Sequence, residues 1–373
     1  MYSAKHKTQA IVGPRAARAV RFHALLLVVV LMLLLPAISL ASPPGWAGQQ
    51  AGPHDSPFSH PGVSGKPFQE IIDNVVVLVE GGVEITVGAN GHYQTLNDAL
   101  AAASGLRHRH NENRDGIVLH IQDDVVLNEQ INLFNTDLSY VRITGNSPVL
   151  VDTSGFERAD DDRGSPPFFN IQRGSEAPKI DVIFEMVPGG RAVGLLVNRG
   201  SSAVITPDGG FVGFYDGATI NNGSTLTARF STLRGSSRWG VHARHMSDAN
   251  LRSADLTGGG VYGVWARRAS RIDVRGADVS GTGGEGLRAD NVSLIEGHGT
   301  VMRNREIGAN SFRGGQINLL NGDFNSSSTA MQVSDGGFIY AHQLRDLGGV
   351  TTIFNVTPNE FSAKGVIFTD YED

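Results

Sequence analysis

From about residue 190 onward, apolar positions recur along the chain with one long, fixed period. A small residue followed by an apolar one appears at Gly194-Leu195, Gly217-Ala218, Gly240-Val241, Gly263-Val264, Gly286-Leu287, Gly308-Ala309 and Ala330-Met331, at intervals of 23, 23, 23, 23, 22 and 22 residues. A second marker keeps phase with the first: Ser231-Thr232-Leu233, Ala254-Asp255-Leu256, Ala277-Asp278-Val279, Gly299-Thr300-Val301 and Gly322-Asp323-Phe324. Between the markers lie short alternating pieces such as Leu251-Arg252-Ser253, Ile272-Asp273-Val274 and Ile317-Asn318-Leu319, the period of two expected of strands with one buried face.

A period of 22 or 23 residues is too short for a propeller blade and lacks the frame of a leucine-rich repeat. It accommodates three short strands and three turns. The pattern therefore predicts an all-β, single-stranded parallel β-helix, a solenoid in which each strand pairs with its copy one coil away. Like residues then form ladders spaced about 4.8 Å apart.

An uncovered first coil would leave an exposed core, so the solenoid needs an N-terminal cap. Residues 93–103 predict an amphipathic capping helix, with Leu96, Ala99, Leu100 and Ala103 at helical spacing and Thr95 as N-cap. Strands are predicted at Ile117 to Ile121, Gln130 to Leu133 and Tyr140 to Thr144. The expected organisation is a targeting segment over 1–41, a Pro/Gly linker over 42–67, an N-terminal strand and capping helix over 68–116, the β-helix over 117–345 and a C-terminal cap over 346–373.

The targeting segment rests on Lys5, Lys7, Arg15, Arg18 and Arg21 before an apolar run from Ala24 to Leu35, followed by Pro36 and the small-x-small Ser39-Leu40-Ala41. This reads as a signal peptide, hence secretion or residence in the periplasm or cell envelope. An uncleaved membrane anchor is the alternative. The chain has no cysteine, so burial and backbone pairing must hold the fold without disulfides. Five of the 31 basic residues precede residue 42, and the rest of the chain carries 26 basic against 37 acidic side chains, a net charge of −11. That balance argues against a nucleic-acid partner.

The chain resembles the pectate-lyase-like superfamily of right-handed β-helices, and within it the tail-spike and tail-fibre proteins of bacteriophages. The resemblance is carried by Ile85-Thr86-Val87-Gly88 leading into Tyr93-Gln94-Thr95-Leu96-Asn97-Asp98-Ala99-Leu100, then by Gly116 to Ile121, Glu129-Gln130-Ile131-Asn132-Leu133 and Val141-Arg142-Ile143-Thr144-Gly145. It covers roughly residues 85 to 368 through structural motifs. It implies right-handed coils, assembly as a homotrimer and recognition of carbohydrate along the side of the solenoid. The export signal, which phage tail proteins do not normally carry, points to a cell-envelope or secreted relative, or to a prophage-derived domain recruited to the surface.

Two fragments resemble those of polygalacturonases, Asn135-Thr136-Asp137 and Gly297-His298-Gly299, with Asp160-Asp161-Asp162 between them. About six coils separate Asp161 from Gly297, far beyond the reach of one glycosidic bond. No serine-nucleophile motif is present. Stronger patterns are two arginine ladders. Arg229, Arg252 and Arg275 each lie four residues before a second-marker apolar residue, so they should stack on an outward face. Stacked guanidinium groups need anions between them, supplied by uronate carboxylates of an acidic polysaccharide or by Asp255 and Asp278 within the chain. Arg244 and Arg267 form a second ladder, with Arg268, Trp239, Tyr262 and Trp265 nearby, the mix of rings and guanidinium groups that sugar-binding surfaces use.

No cofactor is called for. His108-Arg109-His110 and the aspartate run at 160–162 are weaker patterns, read as solvated loops ahead of a metal or calcium site. The expected function is a non-catalytic or weakly catalytic glycan-binding β-helix at the cell envelope or outside the cell. The alternatives are a polysaccharide lyase or glycosidase acting on acidic polysaccharide, and an adhesive envelope module with a protein partner.

Overall fold

A computed structural model of the chain describes residues 69–71, 76–79, 82–108, 116–123, 125–146, 148–157 and 165–371. The targeting segment, the linker, Arg109, His110 and the aspartates 160–162 lie outside the described residues, as does the side chain of His108.

The described chain is a parallel β-solenoid. Its spine is a ten-stranded parallel sheet, one strand per coil, running from Ile131–Phe134 through Trp239–Arg244 and Tyr262–Arg267 to Thr352–Phe354. The inward ladder of this sheet reads Ile131, Phe169, Leu195, Ala218, Val241, Val264, Leu287, Ala309, Met331, Phe354. The apolar residue of the first sequence marker is thus the core residue of each coil. The residue before it is small because a Cβ on Gly263 would sit 2.7 Å from the carbonyl oxygen of Gly286 one coil on.

An eight-stranded sheet forms a second side, from Ser202–Val204 through Thr225–Thr227, Asp248–Asn250 and Arg271–Asp273 to Gly365–Thr369. In the early coils two further four-stranded sheets complete the cross-section, and a cluster of buried phenylalanines, Phe168, Phe169, Phe184, Phe211 and Phe214, fills it. Beyond Gly210 the third side narrows to one bridged residue per coil: Thr232, Asp255, Asp278, Val301, Asp323. The second marker is therefore a real ladder, with one correction. Val301, not Thr300, is the partner of Asp278, so the repeat there reads Thr300-Val301-Met302. Gly299 is the positive-φ turn residue of its coil (φ 67), as Gly276 is (φ 69), rather than the small residue of the marker.

The turn between the two long sheets carries a ladder that the sequence pattern did not predict. Ser175, Ser201, Ser224, Ser247, Ser270 and Ser293 are buried, and each hydroxyl from Ser201 onward accepts the backbone N–H of the serine one coil earlier at 3.1 to 3.3 Å. On the third side the buried Arg305 donates to the carbonyl oxygens of Val279, Gly283 and Gly259, tying three coils together. Burial lowers its guanidinium to about 10.

The N-terminal cap is helix α1, Leu96–Ser104, with Thr95 accepting from the Asp98 N–H and with Leu96, Ala99, Leu100 and Ala103 buried, as predicted. Glu129 adds a second cap by accepting the N–H groups of Leu96 and Asn97 at 2.6 and 3.1 Å. Gln69–Ile71 and Val76–Val79, which precede the helix, and Leu106–His108, which follows it, form a small three-stranded sheet. At the other end, the stretch expected as a cap carries the last strands of both long sheets. Side-chain amides then stand in for the next coil. Asn355 bonds the N–H and C=O of Val333 at 2.9 and 2.8 Å, and Asn359 bonds the N–H and C=O of Thr369, both at 3.0 Å.

Candidate functional site

The two long sheets turn very different outer faces to their surroundings. On the eight-stranded sheet one outward column is Thr227, Asn250, Asp273, Glu296, Asn318, Tyr340, Phe368. A parallel column is Thr225, Asp248, Arg271, Leu294, Gln316, Phe338. Three cavities lie in line along this face. The first, about 330 Å³, is lined by Tyr140, Glu176, Lys179 and Ser202. The second, about 300 Å³, lies over Thr227, Asn250, Arg271 and Asp273. The third, about 470 Å³, lies over Glu296, Asn318 and Tyr340. Spaced along one face, they mark the line of a shallow groove that follows the solenoid.

The first arginine ladder flanks this groove. Backbone hydrogen bonds from Phe230 to Arg252, Ser253 to Arg275 and Gly276 to His298 place Arg229, Arg252, Arg275 and His298 on successive coils. The expected internal partners were Asp255 and Asp278; Asp273 takes that role instead. It accepts from Arg252 Nε at 2.7 Å and from Arg275 Nε and Nη2 at 2.9 and 2.7 Å. The reason is local. Ser253 and Gly276 have positive φ (55 and 69) and swing the chain onto the third side. There Asp255 accepts from Thr257 and faces Arg234 at 3.8 Å, and Asp278 accepts from Ser280. Arg229 is exposed, with its guanidinium 5.5 Å from the Phe230 ring centroid. With Arg271, the centre of the groove holds four arginines against Asp248 and Asp273.

The second ladder lies on the outside of the ten-stranded sheet. Arg244, Arg267 and Asp290 are register partners, as are His242, Trp265, Arg288 and Asn310. These large side chains pack sideways against one another. Trp265 stacks on His242 at 4.5 Å and touches Trp239 and Tyr262 at 5.4 and 5.0 Å, while Arg288 reaches over Tyr262 and Phe312 at 5.3 Å each. Arg244 and Trp265 are therefore only 6% and 9% exposed, not open to solvent as the ladder alone suggested. Arg267 is half-buried beside Asp290 at 3.7 Å, and Arg268 is exposed and bonded to His245. Glu285 pairs with Arg288 at 2.8 Å; burial pushes its carboxyl above the usual range, against the pull of Arg288 and Asn310.

The polygalacturonase-like fragments stay apart. Asp137 and His298 belong to coils six steps apart, since Asp137 pairs in turn through Glu176, Ser202, Thr225, Asp248 and Arg271 to Leu294, which amounts to about 29 Å. Asp137 is occupied in an Asx turn with Ser139. Among the described residues no three His, Asp or Glu side chains converge as a metal site, and no helix is long and apolar enough to cross a membrane. A scan against known protein families matches none, and no curated protein is similar to the chain.

Proposed function

We propose that this protein is an exported, pectate-lyase-like β-helix that binds acidic polysaccharide along the outer face of its eight-stranded sheet, in the manner of a tail-spike or adhesin. One observation carries the reading: three cavities lie in line on one face, and the arginine ladder Arg229, Arg252 and Arg275 runs beside the middle one. A groove that runs along a stack of coils suits a ligand that is itself a long chain. Threonine, asparagine and carboxylate side chains provide donors and acceptors for hydroxyl groups, and guanidinium forks match uronate carboxylates.

The triple variant Arg229→Ala/Arg252→Ala/Arg275→Ala, titrated with hexagalacturonate at low salt, is expected to bind at least about tenfold more weakly than the parent. Undiminished affinity removes the proposal. Trimeric assembly belongs to the same reading, and sedimentation equilibrium of the purified protein checks it.

A second reading, polysaccharide cleavage, draws support from Asp273 and Glu296, carboxylates on register-paired residues of adjacent coils on the groove floor. Paired carboxylates about 5 to 10 Å apart are what glycosidases need. Incubation with polygalacturonate, followed by assay for new reducing or unsaturated ends, separates this reading from binding alone.

A further inference from the structure

The groove is not uniform along its length, and its C-terminal third has a chemistry of its own. The ladder that reads Arg229, Arg252, Arg275 continues as His298, Leu320 and His342, so the guanidinium groups stop where the third of the three cavities begins. That cavity, about 470 Å³, is bordered by Glu296, His298, Asn318, Leu320, Tyr340 and His342, a size within the range of small-ligand sites. Its carboxylate is Glu296, which accepts from Asn318 at 3.2 Å and faces His298 at 3.7 Å. Gln316 donates to Asn318 at 3.0 Å, so three planar polar groups are held in one chain.

An aromatic pair stands at the far side. Tyr340 is 38% exposed and lies almost parallel to Phe368, its register partner, at 5.1 Å and 21°. Phe361 braces Phe368 edge-on at 5.8 Å. The ring is thus fixed by its neighbour one coil on while its free surface borders the cavity. A pyranose has an apolar C–H face that packs on such a ring and a rim of hydroxyls that amides and a carboxylate can bond. A uronate would instead meet the negative charge of Glu296, with no arginine among the described residues that line the cavity.

Resting on the groove reading above, we infer that the cavity over Tyr340 is a subsite for a neutral sugar, and that the ligand is a heteropolysaccharide combining acidic and neutral residues in one repeat. The acidic residues lie beside Arg252 and Arg275 and the neutral ones against Tyr340. Three coils, about 14 Å, separate Arg275 from His342, so one oligosaccharide reaches both.

Calorimetric titration of the full chain with two probes tests this: a hexasaccharide alternating glucuronate with N-acetylglucosamine, and hexagalacturonate. The mixed probe is expected to bind more tightly. Tyr340→Ala is expected to weaken it about tenfold and to leave hexagalacturonate within about twofold, while Tyr340→Phe keeps the affinity. Glu296→Gln, which preserves shape, weakens the mixed probe alone. A mixed probe that binds no better than hexagalacturonate overturns the inference, and so does a Tyr340→Ala chain that binds it as the parent does. Equal weakening of both probes also overturns it, since the ring then serves the fold rather than a sugar. If the triple arginine variant binds both probes undiminished, the groove reading itself has failed.

Discussion

Arginine ladders of the same period border one long sheet and lie on the other, yet the first flanks an open groove and the second is packed away. On the eight-stranded sheet the outward neighbours of the arginines are short: Thr227, Asn250, Asp273. Strands about 4.8 Å apart leave room above such side chains. On the ten-stranded sheet the neighbours are Trp239, His242, Tyr262 and Trp265, whose rings lie 4.4 to 5.4 Å apart. Bulky groups on consecutive coils cover one another, so the same residue type becomes surface on one side and packing on the other. A ladder specifies neighbours; the volume beside it specifies access.

Both faces are disturbed most severely from beneath. Arg305→Ala removes the donor of two buried and one part-buried carbonyl groups, and an expected loss of about 5 kcal/mol, read from denaturant midpoints, should affect both sheets together. A loss under about 1 kcal/mol would show that the coils do not depend on it. Next in size, Trp265→Ala should cost about 3 to 4 kcal/mol and leave oligosaccharide affinity unchanged, because Trp265 belongs to the packed face. Reduced affinity in a folded variant would move the binding site to the ten-stranded sheet.

Ser247→Ala, at the turn between the sheets, removes the acceptor of the Ser224 N–H and the donor to the Arg244 carbonyl. About 1 to 3 kcal/mol is expected, with earlier hydrogen exchange at Ser224 as the local sign. A smaller, pH-dependent effect is expected at Glu285. Its folded-state pKa is raised by burial, so its contribution is fully present below the unfolded value of 4.5 and is lost as pH rises through the raised value. Glu285→Gln should flatten the fall in melting temperature over that window, and an unaltered pH profile would show that Arg288 balances the burial. Smallest in stability is Arg252→Ala on the open face, less than about 1 kcal/mol, although hexagalacturonate affinity should fall severalfold. Together, Trp265→Ala and Arg252→Ala exchange the two signatures.

The period was readable because stacking punishes any Cβ at Gly240 or Gly263, and because each coil needs one apolar residue at the position of Val241 or Val264. Helix α1 was readable from Thr95 and the spacing of Leu96, Ala99 and Leu100. The ion pairs were not. Asp255 looked the natural partner of Arg252 at three residues' distance, but a single positive-φ residue, Ser253, sends it to another side. The serine ladder was visible in principle at intervals of 23 from Ser201 to Ser293, hidden only because serine is common in turns. Nothing local marks Asn355 and Asn359 as sheet ends, since what they bond, Val333 and Thr369, is set by the last coils.

The sequence alone determined that this chain winds in parallel coils and which residues become neighbours, because a constant repeat with one backbone pairing rule leaves a single register. Only the tertiary structure decided which side each ladder faces and whether it is open. Those outcomes depend on the turn between strands and on the summed volumes of side chains from several coils, quantities that no single stretch of sequence contains.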